Sequence, residues 1–217
     1  YWCDAAEVGC VRRPRLYWTT FEVQLEGFRF DNALGEYEKI TNQSSEREPV
    51  GKFLDEGAEK ASCPDRPFPT AMQWTRRSSP LPDPAGIEAC DNEALLKWEA
   101  SGYAMPPSQF MREHGVIDAA GEVRPPNAKE REKLHGFPTG HTAGFTEERR
   151  ISFVGNAFHC VAVALLLGSW AVSVGYLTVA PSTPQLWHRA LYGEDLVNSL
   201  GVHWQEPSCH AAGILPK

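Results

Sequence analysis

The chain has 217 residues, 42% of them hydrophobic and 23% charged, which suits one substantial globular domain or two small ones with a buried core. Its 17 prolines and 18 glycines point to a loop-rich fold, and its formal charge of -7 argues against tight independent binding to a nucleic-acid backbone, since such affinity rests on neutralising phosphates. Six cysteines without a CxxC pair exclude a zinc ribbon and a disulfide framework; they read as free thiols in a reducing compartment, and no metal site is expected.

Taken in order, Asp4 to Gly9 suits a loop, which feeds an aromatic and β-branched strand over Arg15 to Phe21. Arg13 and Arg15, two residues apart, point to one side of an extended chain. From Gln24 to Pro69 the chain is polar, acidic in places and without a sustained period, which reads as a surface insertion, disordered in part. Pro67 to Pro84 sets Phe68, Met72 and Trp74 ahead of Arg76 and Arg77, a pair suited to touching a DNA backbone from an extended loop. Asp91 then caps a short helix over Asn92 to Ala100, stopped at Ser101-Gly102, with Leu95, Leu96 and Trp98 as its apolar side.

Asn127 followed by Glu130 is a capping-box pattern that predicts a helix from Ala128 to about His135, with Gly136 as its stop. Lys129, Arg131 and Lys133 give that helix a local basic face. A polar, basic loop follows. Gly155-Asn156 then opens a run almost free of charge, Val161 to Leu167, predicted as a buried helix ending at Gly168. Near such a helix start Asn156 presents a carbonyl and an amide beside free backbone donors.

Phe158 to Ala180 carries no Asp, Glu, Lys or Arg and approaches the length of a membrane span. It begins inside the Gly-Asn segment and reads as a core helix with a second apolar segment behind it; a membrane-anchored chain is the alternative. Pro184 to Gly201 is amphipathic, with Leu186, Leu191, Leu196, Val197 and Leu200 on its apolar side, suited to the core or to another chain. The start at Tyr1, with no basic stretch before an apolar run, gives no signal peptide and reads as a fragment.

Three segments carry a family resemblance: DAAEVGCVRRPRLYW from Asp4, EREKLHGFP from Glu130 and VGNAFHCVAVALLLG from Val154. In this order they resemble the arginine motif and the last two motifs of the cytosine-5 DNA methyltransferases. That resemblance implies an α/β fold, the C-terminal part of a Rossmann-like methyltransferase domain. Residues 1–21 would hold a catalytic-domain strand with the arginine motif, 22–123 a loop-rich target-recognition insertion, 124–180 the final motifs and 181–217 a tail.

The resemblance further implies that Arg15 holds the target cytosine, that Arg13 supports the loop bearing the nucleophile, and that Asn156 and Ala157 close a pocket for S-adenosyl-L-methionine. Double-stranded DNA is the implied partner, in the nucleus of a eukaryote and in the cytoplasm otherwise, with no membrane. Val11 stands where the family has Gln, and no role passes to it. The family's Pro-Cys nucleophile, Glu-Asn-Val acid and Phe-x-Gly-x-Gly cofactor loop do not occur in this sequence. The N-terminal half is therefore expected in cis or in trans, and the chain alone is expected to be inactive. The alternative is a catalytically dead remnant that binds DNA or a protein partner.

Overall fold

The computed structural model describes residues 1–32, 35–44, 48–69, 87–103 and 106–192. These form a mixed α and β structure with two small sheets. In the first, β1 (Trp2–Asp4), β2 (Pro14–Leu16), β3 (Phe28–Asp31) and β4 (Lys39–Asn42) lie in the order β2-β1-β4-β3. Only β1 and β4 run parallel, with Cys3 opposite Ile40; both other pairs are antiparallel. The second sheet joins β5 (Glu59–Lys60), β6 (Val116–Ile117) and β7 (Val123–Arg124), all antiparallel.

Two readings change here. The strand expected over Arg15 to Phe21 is only Pro14–Leu16, and Trp2–Asp4 beside it is a strand that the sequence reading left as the chain's start. Trp18 has no sheet neighbour and is 87% exposed. The polar stretch after Gln24 is not wholly superficial either. It supplies β3 and β4, buries Ile40 and Phe53 completely, and its Gln24 N–H donates to Ser169 Oγ at 2.8 Å. A parallel partner for β1 was invisible in local pattern because pairing of this kind is decided by distant chain.

Helix α1 (Asn92–Ala100) begins as expected, with Asp91 Oδ1 accepting Ala94 N–H at 2.7 Å. It buries Ala94 and Trp98 against Phe110, while Leu96 faces solvent. Helix α2 (Ala128–Leu134) has the full capping box: Asn127 Oδ1 accepts Glu130 N–H and Glu130 Oε2 accepts Asn127 N–H, each at 2.8 Å. Gly136 stops it in a left-handed conformation (φ 77°), with Phe137 N–H returned to Glu132 O at 2.9 Å and Gly136 N–H to Lys133 O at 3.0 Å.

The segment read as a basic loop is helix α3 (Glu147–Asn156), and only Val154 of it is buried. It lacks an apolar stripe because polar anchors to α2 hold it: Glu147 Oε1 accepts Ala128 N–H at 2.6 Å and Arg150 meets Glu132 at 3.1 Å. Helix α4 (Cys160–Ser173) runs through Gly168 rather than ending there. Gly168 serves a close approach instead, since a Cβ at that position would lie 2.6 Å from Pro181 Cδ. Glu147–Ser173, which takes in both α3 and α4, is by length and composition apolar enough to cross a membrane, with 39% of its most apolar window buried.

Helix α5 (Thr183–Tyr192) then returns to the core through Leu186 and Trp187. The later positions of the expected amphipathic stretch, Leu196, Val197 and Leu200, lie outside the described residues. The principal core gathers Val8, Val11, Phe53, Leu134, Val161, Leu165 and Trp187, drawn from both ends of the chain.

Replacing Gly136 with Ala should destabilise the fold by about 1–3 kcal/mol, combining left-handed strain with a Cβ 3.0 Å from Val161 Cγ2. Urea denaturation of the two proteins measures this directly.

Candidate functional site

The three segments that carry the resemblance meet in space. Asp4, at the end of β1, accepts Arg13 N–H on Oδ1 at 2.6 Å, folding the loop between them into a short hook that contains a 3-10 turn, Ala5–Glu7. The Arg13 side chain is carried into the interior, 4% exposed, where Nη2 donates to Gly155 O at 3.0 Å across 142 positions of sequence. Among the described residues its buried Nε and Nη1 have no hydrogen-bond partner, and burial followed by the nearby Arg15 cation lowers its pKa.

The second segment contributes His135 and the third His159, both essentially unexposed, with ring centroids 6.0 Å apart. Cys160 N–H donates to His135 O at 2.8 Å and ties the end of α2 to the start of α4. His135 Nδ1–H donates to Arg131 O at 2.9 Å, leaving Nε2 as a buried lone pair without a partner. His159 caps α4 by accepting Ala162 N–H on Nδ1 at 3.3 Å. Trp187 closes the cluster from the tail: its ring meets His159 at 5.5 Å and Phe53 at 4.9 Å, and its indole N–H donates to Val8 O.

Arg15 sits on β2 opposite Cys3, half-buried, with Nη1 donating to Pro14 O at 2.7 Å. Thus the two arginines, expected on one side of an extended chain, part company: Arg13 precedes the strand and turns inward while Arg15 stays near the surface. Asn156 also differs from expectation. It is the last residue of α3, not the first of the next helix, and its Nδ2 donates to Ser152 O at 2.9 Å. Ala157 N–H is spent on Phe153 O and Val154 O, so free helix-start donors do not occur at this Gly-Asn. Arg76 and Arg77 lie outside the described residues.

The basic face expected on α2 is largely consumed inside the fold. Arg131 is buried, with Nε donating to Pro126 O at 2.7 Å and its pKa lowered to about 10 by burial. Lys133 donates to Leu54 O at 2.9 Å and Lys129 pairs with Asp55 at 3.5 Å. Buried Cys3 and half-buried Cys160 have thiols pushed up by burial to about 12 and about 11, which leaves neither as a thiolate at neutral pH. Among the described residues no three His, Cys, Asp or Glu side chains converge in a way that could hold a metal ion.

Sequence reasoning missed Asp4, His135, His159 and Trp187 as parts of this cluster. His159 is an unusual helix cap, and Trp187 lies 179 positions from the carbonyl it binds, so no local signal marks either. Comparison with protein-family models gave no match, and none of the curated proteins matches significantly. The methyltransferase resemblance accordingly rests on the motif residues themselves.

Burial pushes the His135 pKa down to about 3, helped by His159 and Arg13, and that of His159 down to about 4. Arg13, Arg131 and Asp4 are the charged groups facing the pair. Both rings are therefore neutral in the fold, whereas an unfolded chain takes up protons as pH falls through about 6.5. Stability is full above that pH and is lost on acidification toward pH 4, by about 1.4 kcal/mol per pH unit for each ring. Urea midpoints measured between pH 7.5 and 4.5 should follow this slope, and His159→Asn, which keeps a helix cap without the imidazole, should remove about half of it.

Proposed function

We propose that this chain is the recognition and cofactor-closing part of a cytosine-5 DNA methyltransferase, completed by an N-terminal half in cis or in trans. The observation that carries the reading is the bond from Arg13 to Gly155 O, which joins the arginine motif to the Gly-Asn motif, with His135 of the HGFP segment packed beside it. Segments that match one family's motifs by sequence, and that are far apart in the chain, assemble at one place. A Rossmann-like catalytic domain would be completed when the missing half adds its strands beside these segments.

Within this reading the roles are divided. The completing half supplies the thiolate that attacks carbon six of cytosine, the acid that assists at the ring nitrogen and the Gly-rich cofactor loop. Arg15, whose hydrogen bond among the described residues goes to its own neighbour Pro14, is suited to hold the carbonyl of a flipped cytosine. Arg13 braces from behind with its two unpartnered donors. Asn156 and Ala157 would help close in S-adenosyl-L-methionine, and Arg76 and Arg77 would reach the DNA backbone from the recognition insertion. The nucleus, or the cytoplasm in a prokaryote, is the fitting compartment.

A second reading, a catalytically dead remnant that binds DNA or a protein, draws on the missing Pro-Cys and Glu-Asn-Val segments. Duplex binding that weakens steeply with salt and ignores the cofactor would favour it.

The test is transfer of a labelled methyl group from S-adenosyl-L-methionine to duplex DNA. The chain alone should give none. Joined to the coding sequence upstream of Tyr1, it should become active, and Arg15→Ala should then lower kcat at least a hundredfold with the fold intact. Transfer by the isolated chain, or a Pro-Cys loop found neither upstream of Tyr1 nor on a chain that co-purifies with this one, would sink the proposal.

A further inference from the structure

A cavity of about 560 Å³ opens between the first sheet and the hairpin of α4 and α5, and no residue of the cluster around Arg13 lines it. Three parts of the chain wall it: the turn from Glu22 to Phe28 that leads into β3, one side of α4, and the segment from Val179 to Pro184 at the start of α5. Its size is that of a small-molecule site. Burial sorts the lining into a floor and a rim. Leu165 and Ser169 of α4 are buried, with Leu25 and Phe28 half-buried beside them, so the floor is mainly apolar. Glu22 and Glu26 are exposed at the mouth.

The walls are fixed to one another. Gln24 N–H donates to Ser169 Oγ at 2.8 Å, which joins the turn to α4. Gln43 N–H donates to Gly27 O at 2.9 Å and ties the same turn to the end of β4. On the far side Ser182 N–H donates to Gln185 Oε1 at 2.8 Å, and Pro181 sits against Gly168. A cavity built in this way orders little beyond the ligand itself when it is filled.

The chemistry of the lining selects the ligand. Neither Glu22 nor Glu26 has a hydrogen bond or an ion pair with any described residue, and no Lys, Arg or His lines the cavity. Two carboxylates at one mouth repel an anion and attract a cation. A bare metal ion is poorly served, because the described side chains bring no third His, Cys, Asp or Glu to the pair and the floor is hydrocarbon. Ser169 adds a second selection from below. It is 4% exposed, its Oγ accepts from Gln24, and among the described residues its O–H donates to nothing, so one buried donor faces the cavity without an acceptor.

We propose that this cavity binds a small organic amine, with its ammonium group at Glu22 and Glu26, its hydrocarbon body over Leu25, Phe28 and Leu165, and an oxygen of the ligand accepting from the Ser169 hydroxyl. The site stands apart from the methyltransferase reading and holds or fails without it.

Titration of the isotope-labelled chain with aminohexanol, followed by amide NMR shifts, tests the site. Hexanediol has the same body without charge, hydroxyhexanoate carries the opposite charge, and hexylammonium lacks the oxygen. Aminohexanol should shift the amides of Gly27, Ser169, Ser173 and Ser182 and bind about tenfold more tightly than hexanediol, while hydroxyhexanoate should not bind. Glu22→Gln and Glu26→Gln should each weaken aminohexanol about threefold and leave hexanediol unchanged, and added salt should act in the same sense. In Ser169→Ala hexylammonium should gain on aminohexanol, whose oxygen has lost its donor. Equal binding of aminohexanol and hexanediol, an affinity indifferent to both glutamate variants, amide shifts outside the lining, or displacement of aminohexanol by S-adenosyl-L-methionine overturns the proposal.

Discussion

Two buried carboxylates on one short helix organise this structure. Glu130 and Glu132 are both fully buried on the seven-residue α2, and each is surrounded by donors. Glu130 receives Arg124 through two bonds at 2.6 and 2.9 Å, Asn127 N–H at 2.8 Å and Asp55 N–H at 3.1 Å. Glu132 receives the following loop and Arg150. A carboxylate taken out of water is tolerated only when its lone pairs are satisfied, and stripping one partner from such a group typically costs about 3–5 kcal/mol. The packing of Leu134 into the core and of Arg131 under the Pro107–Phe110 turn follows from where these two acids fix the helix.

That helix also explains why the interior is polar where the matched segments meet. Its last turn delivers His135 beside His159, and Arg13 enters from the other side. A cation and two neutral imidazoles share a space in which, among the described residues, Gly155 O accepts from the guanidinium while Nε and Nη1 find no partner. Buried donors left over in this way are uncommon in a finished interior.

What was legible in the sequence was chiefly what local chemistry decides. The capping box at Asn127 and Glu130, the Gly136 stop and the Asp91 cap can be read within five residues, and they stand as expected. Helix α3 was not legible, because its stability comes from Glu147 and Arg150 reaching another helix, while its own sequence looks like a charged loop. The end assigned to Gly168 failed for a related reason: glycine there answers to Pro181 and not to the helix. Of the candidate site, Arg13 was found by motif and its burial was not. Asn156, read as opening a helix, ends one. Trp187 and the two histidines join through contacts between distant parts of the chain, and no spacing encodes them.

The grip of Glu130 on both Asp55 and Arg124 has an evolutionary consequence. One carboxylate thereby joins the two ends of a long stretch of chain that sends Phe68 and Val116 back into the principal core. Lengthening a loop whose ends are already pinned adds little closure entropy, about 0.6 kcal/mol for each doubling. Any change of length between them must still seat Phe68, whose backbone bonds Cys10 and Arg12 beside Arg13, and Val116 in the core.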